Sequence, residues 1–234
     1  MKILALETST EYCSVALNLD GKIIERFELV GQKHSELLIA MLADMLREAD
    51  VKLADLDGIA YGAGPGSFTG VRIACGVTQG LALGANLPVF GVCTLQALAQ
   101  AAKCQRVIAA LDARMGEIYH AVYETHDGGW TTVSEPCLCK AEDALLVEGD
   151  DWAGVGSGFA TYGDTLQHRY AGHLQSVDGT AVPHAAAIAE LAATALTQGL
   201  GLDAARALPL YLRDKVALKT AERDALAVRK MLDA

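Results

Sequence analysis

Positive charge is scarce in this chain. Among 234 residues, 19 Lys and Arg stand against 29 Asp and Glu, a formal charge of −10. An unaided grip on a phosphate backbone needs a Lys/Arg surface, so this balance argues against a chain that captures nucleic acid by itself. It leaves room for a local basic patch or a basic partner. A disulfide framework is also missing. Cys13, Cys75, Cys93, Cys104, Cys137 and Cys139 show no short framework spacing, and several sit in apolar runs. The opening MKILALETST lacks the long apolar stretch of a signal peptide and carries Glu7 early. These features together lead us to expect free thiols in a reducing cytoplasm. No low-complexity linker divides the chain. Residues 73–102 lack charge altogether, but Gln79, Asn86, Pro88 and Gln96 interrupt them, so they read as a buried helix–strand–helix and not as a membrane span. What is present is apolar: 52% hydrophobic residues with 21% charged exclude a disordered chain. The length permits one large domain or two small ones.

The apolar pattern predicts strands over 3–6, 14–19 and 22–29, with a polar turn after the first and Asp20-Gly21 before the third. Helical spacing of Leu37, Leu38, Met41, Leu42, Met45 and Leu46 predicts a helix over 34–49. A strand over 57–61 runs into a glycine-rich loop, 62–70, followed by a helix over 71–83, a strand over 88–92 and a helix over 95–102. The pattern then restarts. An apolar run, 107–111, ends in Asp112 as 3–6 ends in Glu7. A strand at 118–123 answers the second strand, and Asp127-Gly128-Gly129 answers Asp20-Gly21 before a strand over 130–133. This shared order points to a duplicated α/β unit. Further on we expect a strand at 152–155, a Gly156-Ser157-Gly158 turn, helix near 161–170, an alanine-rich helix over 184–197, an extended piece at 209–213 and a charged terminal helix over 217–232.

The loop Gly62-Ala-Gly64-Pro-Gly66-Ser-Phe-Thr-Gly70 invites comparison with known phosphate loops. It has no Gly-Lys-Ser/Thr, so it is not a Walker A loop. The third glycine of a dinucleotide fingerprint would fall on Ser67 or Thr69, and Pro65 stands where a nucleophile elbow needs glycine. A strand–loop–helix turn remains, with Ser67 or Thr69 as helix cap. It is either an anion-binding turn or a tight turn whose glycines take positive φ. Glu7 and Asp112 end corresponding strands. They either face one cleft, able to hold a metal–nucleotide complex, or are hydrogen-bonded strand ends. Asp112 and Arg114 read as an ion pair or backbone brace. Cys137-x-Cys139 has no second close pair and no His at a recognised spacing, so it gives no zinc site, and no local signature supports a Ser–His–Asp triad. Gly76, Gly80 and Gly84 share one helix face. They make either a groove for a close neighbour or a seat against the domain's own sheet. The stripe of Leu38, Met41, Leu42 and Met45 is core or subunit interface.

The segments ILALETSTEYCSVAL, GPGSFTGVRIACGVTQGLALGANLPVFGV, LDARMGEIYHAVY and PLYLR together closely resemble the TsaB (YeaZ) family of bacterial tRNA threonylcarbamoyladenosine biosynthesis proteins, over the whole chain. The resemblance implies a duplicated actin-like (ASKHA, RNase H-like) α/β fold of two small domains, each a mixed sheet flanked by helices. We place the first at 1–104, joined by the terminal helix 215–234, and the second, smaller one at 105–214. It implies a cytoplasmic, non-catalytic subunit in forming N6-threonylcarbamoyladenosine at position 37 of tRNAs reading codons that begin with A. That subunit binds a catalytic TsaD-like paralogue, joined by a TsaE-like ATPase, and meets tRNA only through the complex. The threonylcarbamoyl-adenylate donor comes from a separate protein.

TsaD-like paralogues carry GVHHMEGH where this chain reads Gly91-Val-Cys-Thr-Leu-Gln-Ala-Leu98. Their two metal-binding histidines fall on Thr94 and Leu98, which supply no imidazole. We therefore expect no catalytic residues, no metal and no cofactor, with Glu7, Ser67, Thr69 and Asp112 as the residues that could meet a nucleotide. Glu7 replaces the Asp frequent in the family. The expected partner interface is Leu38, Met41, Leu42, Met45, Gly76, Gly80 and Gly84, on the helices that the family pairs across an approximate two-fold axis. The same surface can pair a homodimer. A stand-alone ASKHA-type ATPase or kinase and an M22-type peptidase are the alternatives. The first needs phosphate-gripping loops and a base pocket, the second a nucleophile or metal constellation.

Overall fold

Strand β1 (Lys2–Glu7) is apolar without alternation from Ile3 to Leu6 because both of its faces are covered. In the computed structural model, which describes residues 1–126 and 128–213, it pairs antiparallel with β2 (Tyr12–Leu19) and parallel with β4 (Gly58–Gly64). With β3 (Lys22–Leu29) and β5 (Val89–Cys93) they form a five-stranded mixed sheet in the order β3-β2-β1-β4-β5. Helices α1 (His34–Glu48) and α2 (Phe68–Ala85) cover one face, against Leu4, Leu6, Val15 and Leu17. Helix α6 (Ala185–Thr197) covers the other, against Ile3, Ala5 and Ala16.

The second sheet repeats this plan. Strands β6 (Arg106–Arg114), β7 (Glu117–His126), β8 (Gly129–Cys139), β9 (Trp152–Val155) and β10 (Leu174–Asp178) take the order β10-β9-β6-β7-β8. Counted from its own first strand, that is the order of the first sheet, so the repeat read from the sequence is a repeat of fold. Helix α3 (Thr94–Ala102) joins the halves: Ala97 packs toward α6, while Leu95 and Leu98 pack on the second sheet. Short helices α4 (Ser157–Thr161) and α5 (Gly163–Arg169) cover the far face, where Tyr170, Leu166 and Phe159 fill the core.

Several boundaries move. The loop expected over 62–70 shrinks to 65–67, because β4 continues through Gly64 and α2 begins at Phe68. The single helix expected near 161–170 is two, broken at Tyr162. β8 runs on to Cys139 through Pro136, which an edge strand tolerates because one side of its backbone has no ladder partner among the described residues. β10 was not anticipated: LQSVD is mostly exposed and shows no apolar alternation. Residues 209–213 carry no regular secondary structure. The helix expected over 217–232, and the joining helix 215–234, lie outside the described residues.

The division at 105–214 also needs correcting. α6 and the turn at Ala204–Arg206 pack on the first sheet, and Leu210 donates its N–H to Ala63 O at 2.7 Å. Residues 185–210 thus complete the first half. Helix α6 has no capping side chain of its own. Ser14 Oγ accepts the Ala185 N–H at 3.0 Å and Glu25 Oε1 the Ala186 N–H at 3.0 Å, so β2 and β3 satisfy its first turn.

Candidate functional site

Two turns meet at the end of β1, and their backbones touch. Thr8 Oγ1 donates to Gly70 O at 2.7 Å, and the Ser67 N–H donates to Ser9 O at 2.7 Å. A side chain at Gly70 would collide with Thr8 O. Among these loop glycines only Gly64 has positive φ, at 105°. The expectation of a turn full of positive-φ glycines is therefore corrected. Gly62 and Gly70 serve close approach between neighbouring segments. The Ser67 hydroxyl accepts the Gly70 N–H at 3.3 Å and is the N-cap of α2, whereas Thr69 lies inside the helix and is exposed.

Glu7 is fully buried beneath these turns. Its Oε1 accepts the Ser9 N–H, and its Oε2 has no partner among the described residues. Burial pushes its carboxyl up, against hydrogen bonds from Ser9 and Thr8. The carboxylate occupies the space that a side chain on Gly62 would need.

Asp112 has other partners. Its carboxylate accepts the Arg114 N–H at 2.8 Å and Arg114 Nη1 at 3.0 Å, with Tyr162 Oη at 3.3 Å. Its own N–H donates to Ser157 Oγ at 3.0 Å. The ion-pair and brace reading fits this geometry. Glu7 and Asp112 share no hydrogen-bond partner, so the structure does not join them into one ligand set. Clefts of about 280 Å³ beside Gln167–Val177 and about 160 Å³ beside Met1 and Pro88 are lined by none of Glu7, Ser67, Thr69 or Asp112. Among the described residues, no three His, Cys, Asp or Glu side chains gather closely enough to hold a metal ion.

Ser14, Glu25 and His184 are the residue types of a hydrolase triad, but their order is wrong for one. The Ser14 hydroxyl donates to Glu25 Oε1 at 2.8 Å and accepts from α6, while His184 Nδ1 faces the carboxylate at 3.2 Å. No imidazole is placed to take the serine proton.

The expected interface divides in two. Leu38, Met41, Leu42 and Met45 are 0–6% exposed and form the core beneath α1, so their side chains are closed to a partner. This corrects their assignment: the methionine–leucine stripe is what holds α1 on the sheet, each side chain contributing about 1.5–3 kcal/mol by burial. Gly76, Gly80 and Gly84 behave differently. All three are exposed, and a Cβ built on any of them meets nothing within 4 Å. They do not seat α2 on its own sheet. Leu83, 78% exposed, extends this open face, and Ile39, 51% exposed, stands out from α1. The sequence carried a signal for Leu83, which lies three and seven residues beyond Gly80 and Gly76, on the same stripe. Toward the start of α2 the Arg72 guanidinium stacks on Phe68 at 3.6 Å and donates from Nε to Tyr211 Oη at 2.7 Å.

Residues 27–221 match the family model described as TsaD, tRNA N6-adenosine threonylcarbamoyltransferase. The chain is 39% identical to a tRNA threonylcarbamoyladenosine biosynthesis protein TsaB of Escherichia coli (strain K12), across 94% of this chain and 97% of that one. It is 36% identical to the protein of the same description from Haemophilus influenzae, across 94% and 96%. Among solved structures, YeaZ from Pseudomonas aeruginosa superposes with a TM-score of 0.84 at 40% identity, covering 90% of this chain and 99% of that one. A second structure, of a protein described as having similarity to peptidase YEAZ from Pseudomonas aeruginosa, gives 0.84 at 39%, covering 91% and 99%.

Proposed function

Because this chain belongs to the TsaB (YeaZ) family of tRNA threonylcarbamoyladenosine biosynthesis proteins, we propose that it is the non-catalytic partner subunit of the assembly that forms N6-threonylcarbamoyladenosine at position 37 of tRNAs reading codons that begin with A. Its partners are a catalytic TsaD-like subunit and a TsaE-like ATPase, and it works in the cytoplasm. The observation that carries the reading is the open glycine face of α2. A backbone without side chains admits another helix closely, and no atom of the described residues comes within 4 Å of a Cβ built there. Gly76, Gly80, Gly84 and Leu83 form the proposed contact, with Ile39 of α1 at its side.

The chemistry at Thr94 and Leu98 supports the partner role over the catalytic one. By resemblance these are the places of the paralogue's two metal-binding histidines. Thr94 offers a hydroxyl and Leu98 no donor atom, and both are fully buried. The acidic charge fits tRNA contact through the complex rather than by this chain alone.

Co-purification with a TsaD-like protein, followed by nucleoside analysis of tRNA supplied with the threonylcarbamoyl-adenylate donor, tests the reading. Modified adenosine is expected only when the partner is present. Modification by this chain alone, or failure to associate, rejects it.

A further inference from the structure

Strand β8 is the edge of the second sheet, bonded among the described residues only to β7. Its register sets Cys137 opposite His120 and Cys139 opposite Ile118. Alternate residues of a strand share a face, so both thiols and the imidazole lie on one side. That side holds Tyr170, with Ile118 and Cys139, in one core cluster. His120 is fully buried. Its Nε2 lies 2.8 Å from Tyr170 Oη, and the single Tyr170 hydroxyl proton is donated to Leu145 O at 2.8 Å. Tyr170 can therefore only accept from His120, and Nε2 carries the proton of the neutral ring. Nδ1 is left with a lone pair and no hydrogen-bond partner among the described residues, beside Cys137 across the strand pair.

We propose that Cys137 is a reactive thiol, with His120 Nδ1 as its base, and that it is the site at which small organic disulfides of the glutathione type modify this chain. The Cys137 proton passes to Nδ1. The thiolate attacks one sulfur of the small disulfide, a new S–S bond forms to Cys137 as the old one breaks, and the departing thiolate takes the proton from Nδ1. Cys137 is oxidised and half of the small disulfide is reduced, so no other oxidant enters.

The surroundings favour Cys137 over Cys139, Cys13, Cys75 and Cys93. Cys139 foremost, and then the neighbouring His120 imidazole, hold its thiol well below the ordinary range, against burial. Cys139 is pushed up, chiefly by its bond to Cys137, with burial and the charges of Asp143 and Glu117 adding to it. Tyr170 and Arg169 face the cluster from the end of α5. Burial pushes Cys13 up to about 12 and raises Cys75 and Cys93, and the Cys75 thiol already donates to Ala207 O at 2.7 Å. Between Cys137 and Cys139 the strand pairs without a shift. Their Cβ atoms then stand roughly 6.5 Å apart, beyond the ~4 Å that a disulfide needs. The mixed disulfide is thus the end product, with no internal bridge displacing it.

The test is exposure of the full chain to oxidised glutathione at pH 6, 7 and 8, read by intact mass and peptide mapping. One adduct is expected, on Cys137, at a rate changing less than threefold across that range. An ordinary thiol gains about tenfold per pH unit below its pKa. Cys137→Ser should abolish the adduct. Cys139→Ser keeps a donor and should leave it in place. Tyr170→Phe removes the acceptor that fixes the His120 tautomer and should slow the pH 6 reaction at least fivefold. Adducts spread over other cysteines overturn the proposal. So does a Cys137 rate rising tenfold per pH unit, or a loss of two hydrogens with no adduct, the mark of an internal disulfide.

Discussion

Glu7 places a carboxyl in the buried interior, with one oxygen unpartnered among the described residues. Burial raises its carboxyl above the ordinary value of 4.5, so the folded chain holds that proton more firmly than the unfolded chain does. Ionisation of Glu7 therefore opposes folding: the cost is absent below about pH 4.5 and grows as pH climbs through the raised value. Glu7→Gln keeps an oxygen for the Ser9 N–H and removes the charge. The Gln amide N–H groups are no better partnered than the oxygen they replace, so only the charge is removed, and the variant should melt ~2–4 °C higher at pH 8, roughly 1 kcal/mol, with the gap closing near pH 4. Thermal melts across that range decide it, and a variant that loses stability chiefly at pH 8 contradicts the account. The sequence marked Glu7 as the acid at a strand end. It could not show that Gly62 leaves the space for its carboxylate, since that contact joins β1 to β4 and neither residue announces the other.

Helix α2 shows what one element's pattern reveals. Its three glycines at fourfold spacing were legible as a bare face; which way that face points was not, because an open groove and a tight seat on a sheet have the same pattern. The reverse happened on α1, where the richer apolar stripe turned out to be core. A stripe reports burial without saying by what. Gly80→Leu separates fold from association. Its Cβ enters open space, and replacing an exposed helical glycine adds about 0.5–1 kcal/mol of helix propensity. The melting temperature should hold or rise by ~2 °C while affinity for the proposed TsaD-like partner falls at least tenfold. A large drop in melting temperature with unchanged affinity rejects the interface. Strands buried on both faces and amphipathic helices were readable from apolar periodicity. β10 and the second half of β8 were not, because edge strands bury little. The alanine-rich run placed α6 within one residue of its observed start, but it could not show that Ser14 and Glu25, far away in sequence, satisfy its first N–H groups.

At the scale of the molecule, two sheets of identical strand order are joined by α3 and by the segment after α6. That segment is fixed to both halves: Tyr211 bonds Arg72 of α2, and Arg213 pairs with Glu117 of β7 at 2.8 Å and bonds Ala113 O at 3.1 Å. The repeat was legible because each half opens with the same strand–acid–turn–strand run. The true division was not, because the chain returns to its first half after finishing the second. A fragment of residues 1–104 is accordingly expected to lack a cooperative melt and to bind a hydrophobic dye, with Ile3, Ala5, Ala60 and Val92 uncovered. A sharp two-state transition in that fragment would show that α6 is dispensable.

The same return has a consequence during synthesis. The ribosome delivers the first sheet at the outset and the helix that covers its second face only after every strand of the second sheet. The nascent chain therefore carries a half-finished core through most of its elongation, closed at the end by a long-range contact. Its second half can mature first, so the order of folding need not follow the order of translation.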